Sequence, residues 1–368
     1  MHTEQKTVSF GKKKIGDGNP CFITFEAGPT HDGLETAKQL VKLSAEAGAD
    51  AVKFQIVDPE RLVADKKQPF SYDILVDRET GKTKTVTEPL YDILCRRSMS
   101  KDEWRELKKY SDSLDLAFFA TVTFEDEIEL MEELKCDSIK IASGDVNHIP
   151  LIRIAARTGM CIQLDTGNST LGEIETAIDA IRSEGNENIV IHQCPSGYPA
   201  RVDSVNLRII PTLKQMFGYP AAYSDHVPGW EMDIAAVTMG ANLVEKTITF
   251  DRMTPSVEHI MSLEPSDMSS FVRSLRDLEI AMGEPRRILH AEEQKKRDAV
   301  RRSIFLAEPA KEGQKLRDVK VEFRRPGYGI GPEHYDSLLD STFVKDLAED
   351  TRISYSDLAQ TDEKACAA

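Results

Sequence analysis

Eight short apolar runs, each separated from the next by a stretch of helical period, occupy residues 20–282 of this sequence. The runs are CFITFEAG (21–28), AVKFQIV (51–57), LAFFATV (116–122), SIKIASG (138–144), CIQLDTG (161–167), IVIHQCP (189–195), AAYSDH (221–226) and LVEKTIT (243–249). They are rich in Ile, Val and Phe and mostly lack clean alternation, as parallel strands covered on both faces do. After the first run, Ala37, Leu40, Val41, Ser44 and Ala47 fall on one helical stripe and Gly48 supplies a stop. Ser100 stands three residues before Glu103, a capping-box signature. Segments 171–185, 231–241 and 265–284 continue the helical series. Eight β/α units in about 260 residues is the arithmetic of a (β/α)8 TIM barrel. The alternative, a doubly wound open sheet, usually carries a GxGxxG turn after an early strand, and the sequence has none.

Two stretches break the rhythm. Residues 58–99 form a long polar insertion, and at the C-terminal end of a barrel strand such an insertion is usually a lid or substrate wall. From 285 a charged stretch leads into short strand-like runs with turns at Glu312-Gly313 and Pro326-Gly327. The expected organisation is a barrel domain over 1–284 (the barrel itself about 20–282), a linker over 285–300, a small β-rich domain over 301–360 and a disordered tail over 361–368.

Composition removes several classes of function. The formal charge of −15 disfavours binding to nucleic acid or anionic membrane, which needs a basic surface. No run reaches the ~18–20 apolar residues of a membrane span, and MHTEQKTVSFGKKKIGDG lacks the apolar region of a signal peptide. The six cysteines (Cys21, Cys95, Cys136, Cys161, Cys194, Cys366) show no CxxC pair and no disulfide-module spacing, so free thiols in a reducing cytoplasm are expected.

In such a barrel, chemistry collects at the C-terminal strand ends. Those ends carry Glu26, Lys53 with Gln55, Thr121, Lys140 with Ser143, Asp165 with Thr166, Gln193 with Ser196 and Tyr198, Ser224 with Asp225 and His226, and Glu245 with Lys246. Charges inside strands covered on both faces ask for a polar cavity, because an unpaired buried charge is costly. Lys53 and Lys140, with the hydroxyls of Thr121, Ser143, Thr166 and Ser224, suit a small anion such as a phosphate or carboxylate. A Schiff-base lysine is the other reading of the same residues.

The motifs FEAGPTHDG (25–33), AVKFQ (51–55), SIKIASGDVNHIPLI (138–152), TGNS (166–169), CPSGYP (194–199), YSDH (223–226) and RRPGYG (324–329) make the chain resemble the N-acetylneuraminate (sialic acid) synthase family over about residues 20–355. These enzymes, the nonulosonic acid synthases, condense phosphoenolpyruvate with an N-acetylhexosamine. The resemblance extends to a C-terminal SAF domain similar to type III antifreeze protein. It implies that Glu26 activates the aldehyde and the attacking water. It places Lys53, Thr121, Lys140, Ser143 and Ser224 at phosphoenolpyruvate, and Gln55, Asp145 and Tyr198 at the sugar. It makes His226 a ligand of a divalent metal, manganese or magnesium. It also implies a domain-swapped homodimer in which Arg325 reaches the active site of the partner subunit.

The chain departs from the family pattern at substrate-facing positions. Thr247 stands where a second metal histidine is usual, which leaves Glu26, Glu245 or His259 to complete a metal site. Asp165 replaces a serine facing phosphoenolpyruvate, and a carboxylate beside a phosphate is repulsive unless a metal or lysine intervenes. Ser196 and Thr30 replace asparagines. The expected activity is a transferase that releases phosphate by C–O cleavage through a tetrahedral intermediate. The rivals are a TIM-barrel lyase or aldolase with a Schiff-base lysine, and a non-catalytic carbohydrate-binding homologue. N-Acetylmannosamine, its 6-phosphate and a 2,4-diacetamido-trideoxyhexose are all open as acceptor. The insertion and the Asp165, Ser196 and Glu258 positions are expected to decide among them.

Overall fold

The structure, a computed structural model, describes residues 6–359. Among them eight parallel strands close a barrel: β1 (Phe22–Glu26), β2 (Ala51–Gln55), β3 (Ala117–Thr121), β4 (Ser138–Ile141), β5 (Cys161–Asp165), β6 (Ile189–Gln193), β7 (Ala221–Asp225) and β8 (Leu243–Thr247). Each pairs with its successor, and β8 pairs back onto β1 with Thr247 opposite Glu26. Every strand falls inside one of the eight predicted runs.

Alternation along each strand divides its side chains between the barrel interior and the surrounding helices. On β2, Phe54 turns outward, with its ring centroid 5.9 Å from Trp104 on helix Lys101–Ser113 and 5.5 Å from Phe118 of β3. On β1, Phe25 meets Phe271 of helix Pro265–Met282 at 5.8 Å. Burying each such side chain stabilises the fold by roughly 1.5–3 kcal/mol. The helix Leu34–Ala47 buries Ala37, Leu40, Val41 and Ser44 and stops at Gly48, whose φ of 84° is the left-handed conformation glycine tolerates. Helix Lys101–Ser113 opens on a complete capping box between Ser100 and Glu103.

Two hairpins were not anticipated. Val8–Phe10 pairs with Lys13–Ile15, and Phe10 packs at 4.8 Å from Phe22 and 5.4 Å from Phe119. Within the polar insertion, Pro69–Asp77 pairs with Lys82–Pro89, and helix Leu90–Cys95 follows. Tyr72 and Ile93 of this insertion form a buried cluster with Val257. The insertion is therefore a folded strap held against the loop that follows β8.

Chain contacts group residues from Glu284 onward into a second compact unit. Its hairpin of Ser303–Leu306 with Val321–Arg324 lies over a core that includes Ile304, Leu316, Ile330, Phe343 and Ile353. The stretch expected to be a linker contains the helix Ala291–Val300, which has no buried residue. The tail expected at 361–368 and Cys366 lie outside the described residues. Cys21, Cys136, Cys161 and Cys194 are buried free thiols, and Cys95 is a free thiol at the surface. Among the described residues no helix is long and apolar enough to cross a membrane.

Candidate active site

The inward-facing residues of β1, β2, β3, β5 and β8 meet at one end of the barrel. Glu26, Lys53, Gln55, Thr121, Asp165 and Glu245 form the floor of a cavity of about 460 Å³. The loops beyond the strands add Ser143, Asp145, Tyr198, His226 and Glu258 to its wall. These are most of the residues singled out from the sequence, and they converge from distant points in the chain.

The floor is an ionic network. Lys53 Nζ bonds the carboxylate of Glu26 and lies 3.2 Å from Glu245 Oε1. Lys140 Nζ, from just below, is 2.7 Å from both oxygens of Glu245 and 3.0 Å from Asp165 Oδ2. Two ammonium groups thus face three carboxyls, all of them buried. Burial pushes the Glu26 carboxyl above its ordinary value against the pull of Lys53. On Glu245 burial acts the same way, but Lys140 and Lys53 outweigh it and hold that carboxyl well below the carboxylate range. Burial would lower the pKa of Lys53, but Glu245, Glu26 and Asp165 outweigh it and raise it. Gly28 makes the arrangement possible. Its amide donates to Glu26 Oε1 at 2.6 Å, and a Cβ there would sit 2.7 Å from that same oxygen.

Beneath the floor runs a polar layer. His192 bonds Gln163 Oε1 at 2.9 Å through Nε2 and Ser224 Oγ at 2.9 Å through Nδ1. Ser224 Oγ accepts from Lys140 at 3.0 Å and lies 3.1 Å from Asp165 Oδ1. Burial, with Lys140 nearby, lowers His192 to about 3, so its imidazole is neutral.

The structure moves several expected residues out of the cavity wall. Lys140 and Ser224 belong to the buried layer below it, where alternation on β4 and β7 aims them at the barrel axis. Thr166 spends its hydroxyl on the His192 carbonyl at 2.7 Å, and Ser196 turns to Asn168 Oδ1 at 2.8 Å. Lys246 and Asp225 sit on the outward side of β8 and β7 as a buried ion pair. Arg325, expected at the active site of the partner subunit and not in this cavity, is exposed on the second unit.

For a divalent metal, His226 is well set as a ligand. Its Nδ1–H donates to the Pro195 carbonyl at 2.9 Å, which leaves Nε2 with a free lone pair. The remaining expected donors do not join it. Glu26 and Glu245 are engaged by lysines, and His259 Nδ1 bonds Thr249 Oγ1 at 2.7 Å and lines a different cavity. Thr247 Oγ1 lies 3.5 Å from Glu258 Oε2. Among the described residues no cluster of three or more His, Cys, Asp or Glu side chains is placed to hold a metal ion. The donor set present does not make a metal centre.

Other features of the site escaped the sequence reading. The strap supplies an apolar wall through Leu62, Phe70, Leu90, Ile93 and Leu94, and beside it the buried guanidinium of Arg97. Burial raises Glu258 to about 7, against the opposing charge of Arg97. Gln163 was hidden because an interior residue of one barrel strand has no partner visible in its own run, and His192 stood out from the sequence only as a further candidate metal ligand.

Comparison with known proteins gives a consistent result. The NeuB family model matches residues 40–287. The N,N'-diacetyllegionaminic acid synthase of Legionella pneumophila is 32% identical over 93% of this chain and 96% of its own. The N-acetylneuraminate-9-phosphate synthase of Homo sapiens is 31% identical over 74% of each chain. Among solved structures, the N-acetylneuraminic acid (sialic acid) synthetase of Leptospira borgpetersenii, in complex with citrate, superposes with a TM-score of 0.69 at 29% identity, covering 80% of this chain and 96% of that one.

Proposed function

The chain belongs to the NeuB family, and on that premise we propose that it condenses phosphoenolpyruvate with the open-chain aldehyde of an N-acylated hexosamine to give a nonulosonic acid and phosphate. The observation that carries this reading is the pair of buried lysines interleaved with three carboxyls on the floor of a cavity large enough for both substrates.

In this mechanism phosphoenolpyruvate lies over Lys53, with Thr121 and Ser143 contributing hydroxyls to its anionic oxygens. Lys140 holds Glu245 and Asp165 in place from below. C3 of the enol phosphate forms a bond to the aldehyde carbon, and the aldehyde oxygen takes the proton that Glu26, raised by burial, gains when the polyanion binds. The cation left at C2 is captured by water, whose proton passes to Glu26. The tetrahedral carbon then expels inorganic phosphate by breaking its C–O bond, and the C2 ketone forms as the hydroxyl proton passes to the departing phosphate. Gln55, Asp145 and Tyr198 face the same cavity and are assigned to the sugar. No step is routed through a metal, since the donor set does not make a metal centre.

A Schiff-base aldolase needs a neutral amine. Lys53, raised by three carboxyls, is a firmly charged ammonium, and Lys140 is bonded to two of them. Inorganic phosphate release from phosphoenolpyruvate, measured against a panel of N-acylhexosamines with and without chelator and manganese, tests the proposal. Borohydride treatment with a keto-acid substrate is the second arm. Acceptor-dependent phosphate release without a covalent adduct supports the synthase, whereas a trapped imine or acceptor-independent behaviour rejects it.

A further inference from the structure

Arg97 belongs to the strap segment just after helix Leu90–Cys95, in a run of charged and polar residues that would ordinarily face solvent. It is only 6% exposed, and among the described residues its Nη2 has no hydrogen-bond partner. Among the described residues its guanidinium forms none of the ion pairs that occupy its neighbour Arg96. Arg96, one residue earlier, is clamped by Glu88 at 2.7 and 2.9 Å.

Arg97 lines two cavities, the main one and a smaller chamber of about 380 Å³. The smaller chamber gives it nothing to pair with. His31 there accepts from the Gly33 amide through Nδ1 at 3.3 Å, so its Nε2 carries the proton, and that nitrogen too has no partner. His259 is bonded to Thr249, and the carboxylate of Asp32 takes the Thr36 hydroxyl. On the main-cavity side Glu258 and Glu26 act on it through their charge, and among the described residues neither forms an ion pair with it. A buried guanidinium that carboxylates act on only from a distance, with its Nη2 bonded to nothing, is costly to the fold unless something else supplies the contact.

Resting on the synthase reading above, we propose that Arg97 is a specificity-determining residue that pairs with an anionic group of the acceptor sugar, a phosphate or a carboxylate carried at the end remote from the aldehyde. A planar fork with free N–H groups matches either group through two parallel hydrogen bonds, which a neutral hydroxyl cannot reproduce. The apolar wall beside it (Leu90, Ile93, Leu94) removes competing water from the same contact.

The test compares N-acetylmannosamine, its 6-phosphate and its 6-carboxylate as acceptors for the wild type, Arg97→Ala and Arg97→Gln. At least one charged acceptor is expected to exceed the neutral sugar in kcat/KM by about tenfold or more in the wild type, a difference worth about 1.4 kcal/mol. The ratio is expected to fall to about one in both variants, and the better charged acceptor tells phosphate from carboxylate. A neutral sugar preferred by the wild type, or a ratio unmoved by both substitutions, overturns the proposal. A second arm uses inorganic phosphate alone, with saturating phosphoenolpyruvate present. It is expected to raise the Tm of the wild type more than that of either variant, and equal shifts overturn the assignment of Arg97. If no acceptor is turned over and the phosphate-induced shift still depends on Arg97, the synthase reading fails and the anion site stands.

Discussion

Lys140 Nζ lies 3.0 Å from Asp165 Oδ2, so the carboxylate that replaces the family's usual serine is neutralised from beneath by a lysine on the adjacent strand. The repulsion expected between Asp165 and a bound phosphate is thereby reduced but not abolished, since Lys140 already serves Glu245. Asp165→Ser should therefore tighten binding of the enol phosphate. A KM for phosphoenolpyruvate lower by roughly tenfold is the expected result, a modest fraction of the ~4 kcal/mol for two unit charges 4 Å apart near a protein surface. Steady-state kinetics at saturating acceptor checks it, and an unchanged or raised KM would show that Asp165 does not oppose the substrate.

The surplus of carboxyls around Lys53 and Lys140 has a thermodynamic consequence. Glu26 is already shifted upward by burial, and an incoming polyanion raises it further. Binding of phosphoenolpyruvate should therefore take up protons near neutral pH. Titration calorimetry in buffers of different ionisation enthalpy reads this directly. A positive proton uptake that disappears in Glu26→Gln is expected, and zero uptake in the wild type would place the compensating charge elsewhere.

Thr247, whose hydroxyl lies 3.5 Å from Glu258 Oε2, stands at the sequence position where the family pattern has a second metal histidine. Thr247→His supplies that imidazole. Added manganese should stimulate turnover of the variant more than that of the wild type, and equal stimulation of both would mean that the native donors already complete a metal site.

His192 and His31 are buried as neutral imidazoles, lowered to about 3 and about 4 respectively, chiefly by desolvation. A depressed folded-state pKa means that the unfolded chain binds protons first as the pH falls. The stability these groups contribute is complete above about 6.5, the unfolded value, and is lost progressively as the pH falls toward 4. Tm should drop across that window, and His192→Asn should reduce the drop. A pH-independent Tm between 6.5 and 4.5 would contradict the assignment.

The barrel was legible because each of its strands is a short Ile, Val and Phe run ended by polar residues, and the helices between them carry their own periodicity. The hairpin Pro69–Asp77 with Lys82–Pro89 was not, since its second strand, KTKTVTEP, buries no residue and its first buries only Tyr72 and Leu75. Its one signal was Gly81 in the turn, at φ 66°. Glu26, Lys53 and Glu245 could be picked as site residues from charge inside apolar strands. That they neutralise one another could not, because it depends on which strands become neighbours when β8 closes on β1. Lys246 and Asp225 carried the same charge signal and face the helices instead, since one step along a strand reverses the side. Arg97 sits in CRRS, a run that reads as solvated surface until the strap folds over it.

Phosphoenolpyruvate labelled with oxygen-18 in its C–O–P bridge tests the central claim most directly. With a competent N-acylhexosamine, the account requires the label to leave in inorganic phosphate, because the tetrahedral carbon over Lys53 and Glu26 breaks its C–O bond. Label retained in the keto acid product, or no phosphate released with any acceptor, would contradict it.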